Sequence, residues 1–337
     1  MKGALIVNLG SPESTQVGDV KKYLGEFLMD KRVIDLPYLQ RFLLVKGIIL
    51  NTRPKKSAKA YQKIWWEEGS PLIVLSKRLL DKVEKQADIP VELAMRYGQP
   101  SIKSGLERLI EKGVSEVLLI PLYPQFAMAT TETILALAEA LVKKHFPQLS
   151  LSNIPAFYHQ TDYIEVLSNS VREALEKNPA DHILFSYHGV PERHIKKSDI
   201  TRSHCQLNAT CCQSHSKAHE FCYRHQCYET TKRVAKKLGL KDGYYSSAFQ
   251  SRLGRDPWLQ PYTDQTIEDF ARNGVKKLAV VTPAFVADCL ETLEEIGMEA
   301  RESFLENGGQ EFANIPCLND REDWAQILAN WINDWAN

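Results

Sequence analysis

Three groups of residues carry side chains suited to proton transfer or metal binding. The first is His188, in Ile183-Leu-Phe-Ser-Tyr-His-Gly-Val-Pro-Glu-Arg-His194. This apolar run breaks at Gly189 and Pro191, so it reads as a buried strand entering a sharp turn, with the imidazole at the junction. Ligands of open α/β sheets bind just beyond the carboxyl ends of the strands, and a histidine there titrates close to neutrality, which suits proton transfer. The second group lies in Ala284-Phe-Val-Ala-Asp-Cys-Leu-Glu-Thr-Leu-Glu-Glu-Ile296. Leu290, Leu293 and Ile296 are spaced for a helix, which puts Asp288 at its N-cap and Glu291 in its first turn. A carboxylate at either position serves helix capping and the helix dipole as readily as catalysis. The third group is Cys205, Cys211, Cys212, Cys222 and Cys227, five of the seven cysteines in the chain. Four thiolates are enough for a [2Fe-2S] cluster. His204, His215, His219 and His225 make zinc the rival, although no CxxC pair occurs to support a zinc ribbon.

The elements that position these groups alternate in type. Strands are predicted at Ala4–Val7, Val91–Met95, Val117–Ile120 and Ile183–Ser186. Helices are predicted at Val17–Phe27, Leu72–Gln86, Ser101–Lys112, Thr131–Lys144 and Trp324–Ala336. Alternation of this kind implies parallel sheets with helices on both faces. The second half echoes the first. Asn8-Leu-Gly-Ser-Pro12 matches Tyr187-His-Gly-Val-Pro191, and Glu111-Lys-Gly-Val-Ser-Glu-Val-Leu-Leu-Ile-Pro121 matches Arg272-Asn-Gly-Val-Lys-Lys-Leu-Ala-Val-Val-Thr-Pro283. Gly10 and Gly189 then serve the turn, while Leu9 stands where His188 stands, so the turn itself does not require a histidine. The expectation is two Rossmann-like lobes facing each other across a cleft. The first spans residues 1–160, and the second spans 161–319 with a cysteine segment at 204–228. A C-terminal helix at 320–337 packs back on the first lobe.

Composition narrows the function. The 337 residues carry 42 basic and 42 acidic side chains, with 44% hydrophobic and 25% charged residues. These are ordinary proportions for a globular protein, and no basic stripe points to nucleic acid. The opening residues read as a strand rather than a signal peptide, and the clustered thiols suit a reducing compartment, so the expected location is the cytoplasm. The mixed apolar and basic segment from Pro37 to Pro54 is too charged and short to span a bilayer. It reads as a helix over the cleft that leaves a peripheral membrane contact open.

Six stretches, in order over about 85% of the chain, together resemble ferrochelatase, the enzyme that inserts Fe2+ into a porphyrin. They are Val7-Asn-Leu-Gly-Ser-Pro12, Tyr97-Gly-Gln-Pro100, Pro121-Leu-Tyr-Pro-Gln-Phe126, Ser186-Tyr-His-Gly-Val-Pro191, Phe249-Gln-Ser-Arg-Leu-Gly-Arg-Asp-Pro-Trp-Leu-Gln-Pro261 and Phe285-Val-Ala-Asp-Cys-Leu-Glu-Thr292. The resemblance implies a porphyrin cleft between the two lobes, with His188 and Glu291 as catalytic residues and as transient ligands of the substrate Fe2+. It implies Tyr123, Trp258 and Phe285 as cavity wall, and Arg53 and Arg96 as propionate or hydrogen-bonding contacts. Leu9 in place of a tyrosine favours protoporphyrin IX over coproporphyrin. Cys289 stands where relatives often have histidine, which leaves the route of iron entry open. Some bacterial ferrochelatases hold a [2Fe-2S] cluster in an internal segment that this one resembles. The expected ligands are Cys205, Cys222, Cys227 and one of Cys211 and Cys212. The competing readings are a non-catalytic tetrapyrrole or iron carrier that senses iron through its cysteines, and a related chelatase loading cobalt or nickel.

Overall fold

The computed structural model describes residues 1–208, 210–254 and 256–337. It contains two parallel four-stranded sheets. The first is built from β1 (Lys2–Asn8), β2 (Val91–Met95), β3 (Glu116–Pro121) and β4 (Ser150–Asn153), in the order β2-β1-β3-β4. The second is built from β5 (His182–His188), β6 (Tyr245–Gln250), β7 (Lys277–Val281) and β8 (Glu311–Asn314), in the order β6-β5-β7-β8. The two orders are the same, and β1 corresponds to β5 as β3 does to β7. The echo in the sequence is therefore an echo in topology. Central strands are covered on both faces and read as unbroken apolar runs. Leu5, Val7, Ile183, Leu184, Phe185 and Tyr187 are accordingly fully buried.

The predicted strands recur with longer ends. β5 continues to His188 because it pairs with β6 through to Gln250. Besides β7, which the match to the β3 segment foreshadowed, three strands were not predicted: β4, β6 and β8. Each is an edge strand. Ser150-Leu-Ser-Asn, Tyr-Ser-Ser-Ala-Phe-Gln250 and Glu311-Phe-Ala-Asn are too polar or too short to carry the apolar signal of a central strand.

The turn after β1 explains its glycine. Gly10 has φ +111°, and a Cβ there would lie 1.8 Å from the Tyr97 carbonyl oxygen. The chain after β2 crosses there, with Tyr97 N–H donating to the Leu9 carbonyl at 2.8 Å. At Gly189 the obstacle is the backbone of the neighbouring strand, with the Ser251 and Gln250 oxygens 2.7 and 2.9 Å from a built Cβ.

The segments following strands include three π-helical stretches, at Leu43–Ile49, Met128–Glu132 and Glu291–Ala300. π-Turns occur mostly at functional sites. The halves of the chain meet in several places. The terminal helix Glu322–Ala336 packs on the helices Pro71–Glu84 and Thr161–Lys177. Its Trp324 lies among Phe157 and Tyr163, with ring centroids 5.8 and 6.1 Å away. Phe126 N–H donates to Gln226 Oε1 at 2.7 Å, and Lys63 pairs with Glu294 at 2.6 Å.

Gly10→Ala is expected to destabilise the fold by about 3 kcal/mol or more, through the clash and the left-handed backbone together. Gly18→Ala serves as the control, because it lies in a helix with nothing within 4 Å, and it should be neutral or mildly stabilising. Denaturant unfolding of both variants checks this.

Candidate active site

Both sheets direct the carboxyl ends of β1 and β7 at one cleft. Asn8, Leu9, Gly10 and Ser11 line it from the turn after β1, and Phe285, Cys289, Leu290 and Glu291 line it from the segment after β7. Tyr23, Tyr61 and Tyr123 complete the wall. Burial pushes all three hydroxyls well above the usual tyrosine range. They remain neutral donors on a largely apolar surface. That lining, largely apolar with a few convergent polar groups, is of the kind found in small-molecule sites.

His188 ends β5 beside this cleft. Its Nδ1 lies 2.7 Å from the Gly189 carbonyl oxygen. A carbonyl only accepts, so Nδ1 carries the hydrogen and Nε2 presents a bare lone pair. Burial lowers the imidazole's pKa below the usual 6.5, and the Arg53 charge adds to this, while Glu291 and the Gly189 carbonyl oppose it. The ring is therefore neutral at pH 7. Phe285 stands edge-on to it at 6.2 Å between centroids.

The carboxylates come from the π-helix Glu291–Ala300. Glu291, at its start, lines the cleft beside the Cys289 thiol, which burial keeps protonated. Glu295 lies four residues on. Burial, and then the neighbouring Glu291 charge, push its carboxyl up to about 7, against the Ser251 hydroxyl that donates to it. Such a group gains and loses a proton near neutral pH. Asp288 plays a different part: it accepts from the Thr292 hydroxyl at 2.8 Å and from Asn319 Nδ2 at 2.7 Å. It ties the segment to the loop after β8 and does not act as a free proton carrier.

The remaining predicted residues fall at graded distances from this centre. Tyr123, Phe285 and Glu291 line the cleft. Trp258 packs over Gly189, its ring carbon 3.3 Å from a built Cβ there, and its indole N–H donates to the Leu253 carbonyl at 3.0 Å. Arg53 is exposed at a helix junction, and its charge reaches His188 and Tyr61. Arg96 is engaged inside the first half. Its guanidinium pairs with Asp30 and donates to Thr133 Oγ1 at 2.8 Å, stacked 4.3 Å from the Tyr97 ring. An arginine already paired this way braces the loop at Asp30 and is not free to meet a propionate. Sequence reasoning missed Tyr23, Tyr61 and Ser11 in the wall. Tyr61 closes the segment that starts at Arg53, but nothing in its spacing set it apart from a packing residue.

The cysteine segment lies behind β5. Among the described residues no three His, Cys, Asp or Glu side chains are arranged around a common metal position. The thiols are instead drawn onto one another. Cys205 and Cys212 lie against Cys222, and these two neighbours push its thiol pKa down while their own are pushed up; Cys211 lies beside both. Cys227 faces the core, fully buried, with its thiol against the Tyr223 hydroxyl. The expected set of Cys205, Cys222, Cys227 and one of the adjacent pair is thus gathered only in part. The histidine side chains turn to backbone. His204 and His219 Nε2 lie 2.7 and 3.1 Å from the Cys211 carbonyl, and His225 Nδ1 lies 2.8 Å from that of Cys212.

A model of the family described as Ferrochelatase matches residues 1–335. A ferrochelatase of Pseudomonas putida is 51% identical over 334 residues, covering 97% of each chain. One of Stutzerimonas stutzeri is 50% identical over 326 residues, covering 96% of this chain and 95% of that one. Among solved structures, SirB from Bacillus subtilis with Fe3+ aligns with a TM-score of 0.55 at 10% identity, over 99% of this chain and 94% of that chain. At that identity the likeness concerns the fold, two chelatase-like lobes. With a family model spanning almost the whole sequence and relatives at half identity over nearly their full lengths, the chain belongs to the ferrochelatase family.

Proposed function

We propose that this chain is an enzyme that inserts Fe2+ into protoporphyrin IX, forming protohaem and releasing two protons. The observation that carries this reading is a neutral imidazole whose bare Nε2 stands beside a tyrosine-walled cleft that also holds Glu291. The free porphyrin keeps two pyrrole hydrogens that must leave before iron can be seated. Leu9, Tyr123 and Phe285 offer apolar and aromatic surface to a flat macrocycle, and Trp258 adds to it beside His188. Binding energy from those faces is available to tilt the pyrroles out of plane toward the metallated geometry. His188 accepts one proton at Nε2. Glu291 and Glu295 accept the other and pass it outward, the elevated pKa of Glu295 suiting it to release at neutral pH. Imidazole and carboxylate also suit the transient handling of Fe2+. Arg53, exposed near the cleft, is the cation offered to a propionate. A carrier would need the faces without the proton acceptors, so the acceptors favour turnover. The enzyme's lobes are taken as residues 1–160 and 161–319, the final helix closing on the first.

The cysteine segment is read as the seat of a [2Fe-2S] cluster. A donor set that is all sulfur, with the imidazole nitrogens bonded to carbonyls, favours iron–sulfur over zinc. Cys205, Cys212 and Cys222 are read as three of its ligands, and Cys211, which lies beside the first two, as the fourth. Clustered free thiols support a reducing, cytoplasmic setting. A peripheral bilayer contact is read at Tyr38, Leu39, Phe42, Leu43 and Ile48, exposed large apolar side chains on the cover segment. No helix among the described residues is long and apolar enough to cross a membrane.

Three measurements check these readings. In an anaerobic assay with Fe2+ and protoporphyrin IX, His188→Ala should lose on the order of 10²–10⁴ in kcat. Because only neutral His188 accepts a proton, wild-type kcat/KM should fall as pH drops through a midpoint below 6.5; full activity in the alanine variant would refute the base. Anaerobically purified protein should contain iron and acid-labile sulfide and absorb visible light. That absorbance should vanish in Cys205→Ser, Cys212→Ser and Cys222→Ser and survive in Cys227→Ser; equimolar zinc and no colour would end the cluster reading. Leu39→Asp combined with Leu43→Asp should abolish co-sedimentation with anionic vesicles while leaving the assay in detergent unchanged.

A further inference from the structure

The peptide unit that follows His188 is gripped from both sides. Its carbonyl accepts the Tyr223 hydroxyl at 2.8 Å, and its N–H, on Gly189, donates to the Gln250 carbonyl at 2.6 Å. The Gly189 carbonyl in turn receives His188 Nδ1–H. The direction of the free Nε2 therefore depends on how this short stretch of backbone is held. A catalytic group placed even slightly wrong loses much of its effect, so whatever holds it matters to rate.

The two anchors differ in origin. Gln250 is the sheet partner of His188, so β5–β6 pairing fixes it. Tyr223 comes from the cysteine segment. It is the first residue of the helix Tyr223–Leu238, whose N-cap is Cys222. Its ring is buried, with Cys227 one turn further along the same helix. Cys222 is in turn the sulfur on which Cys205 and Cys212 converge. A continuous path of contacts thus leads from the gathered thiols, through the start of one helix, to the backbone of the residue that accepts the proton.

We propose that Tyr223 is a positioning residue for His188, and that the anchoring of Cys222 among its neighbouring thiols is transmitted through Tyr223 to the catalytic turn. This rests on the reading of His188 as the base, and it holds for whatever the thiols bind. Anchoring the Cys222 sulfur fixes the helix start, and the helix start carries the hydroxyl. Releasing it leaves the His188 carbonyl buried and short of its donor, with the turn held from one side only.

Tyr223→Phe keeps the ring and removes only the hydroxyl. The expected result is a kcat about tenfold lower with the porphyrin KM within about twofold of wild type, the split that a misplaced base produces and a damaged cleft does not. Amide hydrogen exchange across 186–190 should quicken by about the same factor, while β7 exchanges as in wild type. Cys222→Ser should produce both changes, and adding it to Tyr223→Phe should add nothing further. Should Cys222→Ser fold poorly, Cys205→Ser releases one partner of Cys222 without touching the helix and is read the same way. Wild-type kcat and wild-type exchange in Tyr223→Phe would overturn the positioning role. Fully additive effects in the double variant would overturn the link to the thiols. The exchange measurement needs no turnover, so a chain that failed to metallate porphyrin would undo the proposed reaction and leave the exchange result to be judged separately.

Discussion

Everything at the site depends on one hydrogen bond, from His188 Nδ1 to the carbonyl of the next residue. It decides which ring nitrogen is free, while burial, against the pull of that same carbonyl, keeps that nitrogen unprotonated at neutral pH. The rest of the cleft is consistent with that choice. Its tyrosines stay neutral, so no phenolate competes for a proton, and its negative charge is confined to one helix. Burial disfavours the protonated imidazole while Glu291 favours it, a balance that lets a proton be taken and then surrendered.

The fold was legible in the sequence to the extent that burial is legible. Strands covered on both faces announced themselves as apolar runs, and the two repeated turns disclosed two similar lobes. Three of the four edge strands stayed hidden because an exposed side relaxes the demand for apolar residues, whereas β2, buried throughout, did not; Tyr245–Gln250, the sheet partner of His188, has two serines in its middle. The site was half legible. His188 stood out because Leu9 showed that the same turn forms without it. Tyr23 and Tyr61 carried no mark, since a buried tyrosine in an amphipathic helix looks the same whether it faces a core or a cleft.

Charges were the least legible part. Arg96 has the residue type to meet an anionic ligand, yet its partner Asp30 is 66 residues away in sequence and cannot be foreseen from local spacing. The same holds for Asp35. Its buried carboxylate receives Arg193 and Lys197 from the helix just after the His188 turn, and desolvation is outweighed by these cations so that it stays ionised. Buried ion pairs of this kind contribute less to net stability than to registry. Here they join the cover segment of the first half to the turn of the second.

The matching strand orders carry a further consequence. A duplicated scaffold would, left alone, offer a flat guest the same surface above and below. In this chain one copy of the turn presents leucine and the other histidine. On the proposed reading, a macrocycle nearly alike on its two faces would meet an inert side and a reactive one. The asymmetry of the encounter would lie in the protein and not in the guest, with these twin positions contributing to it.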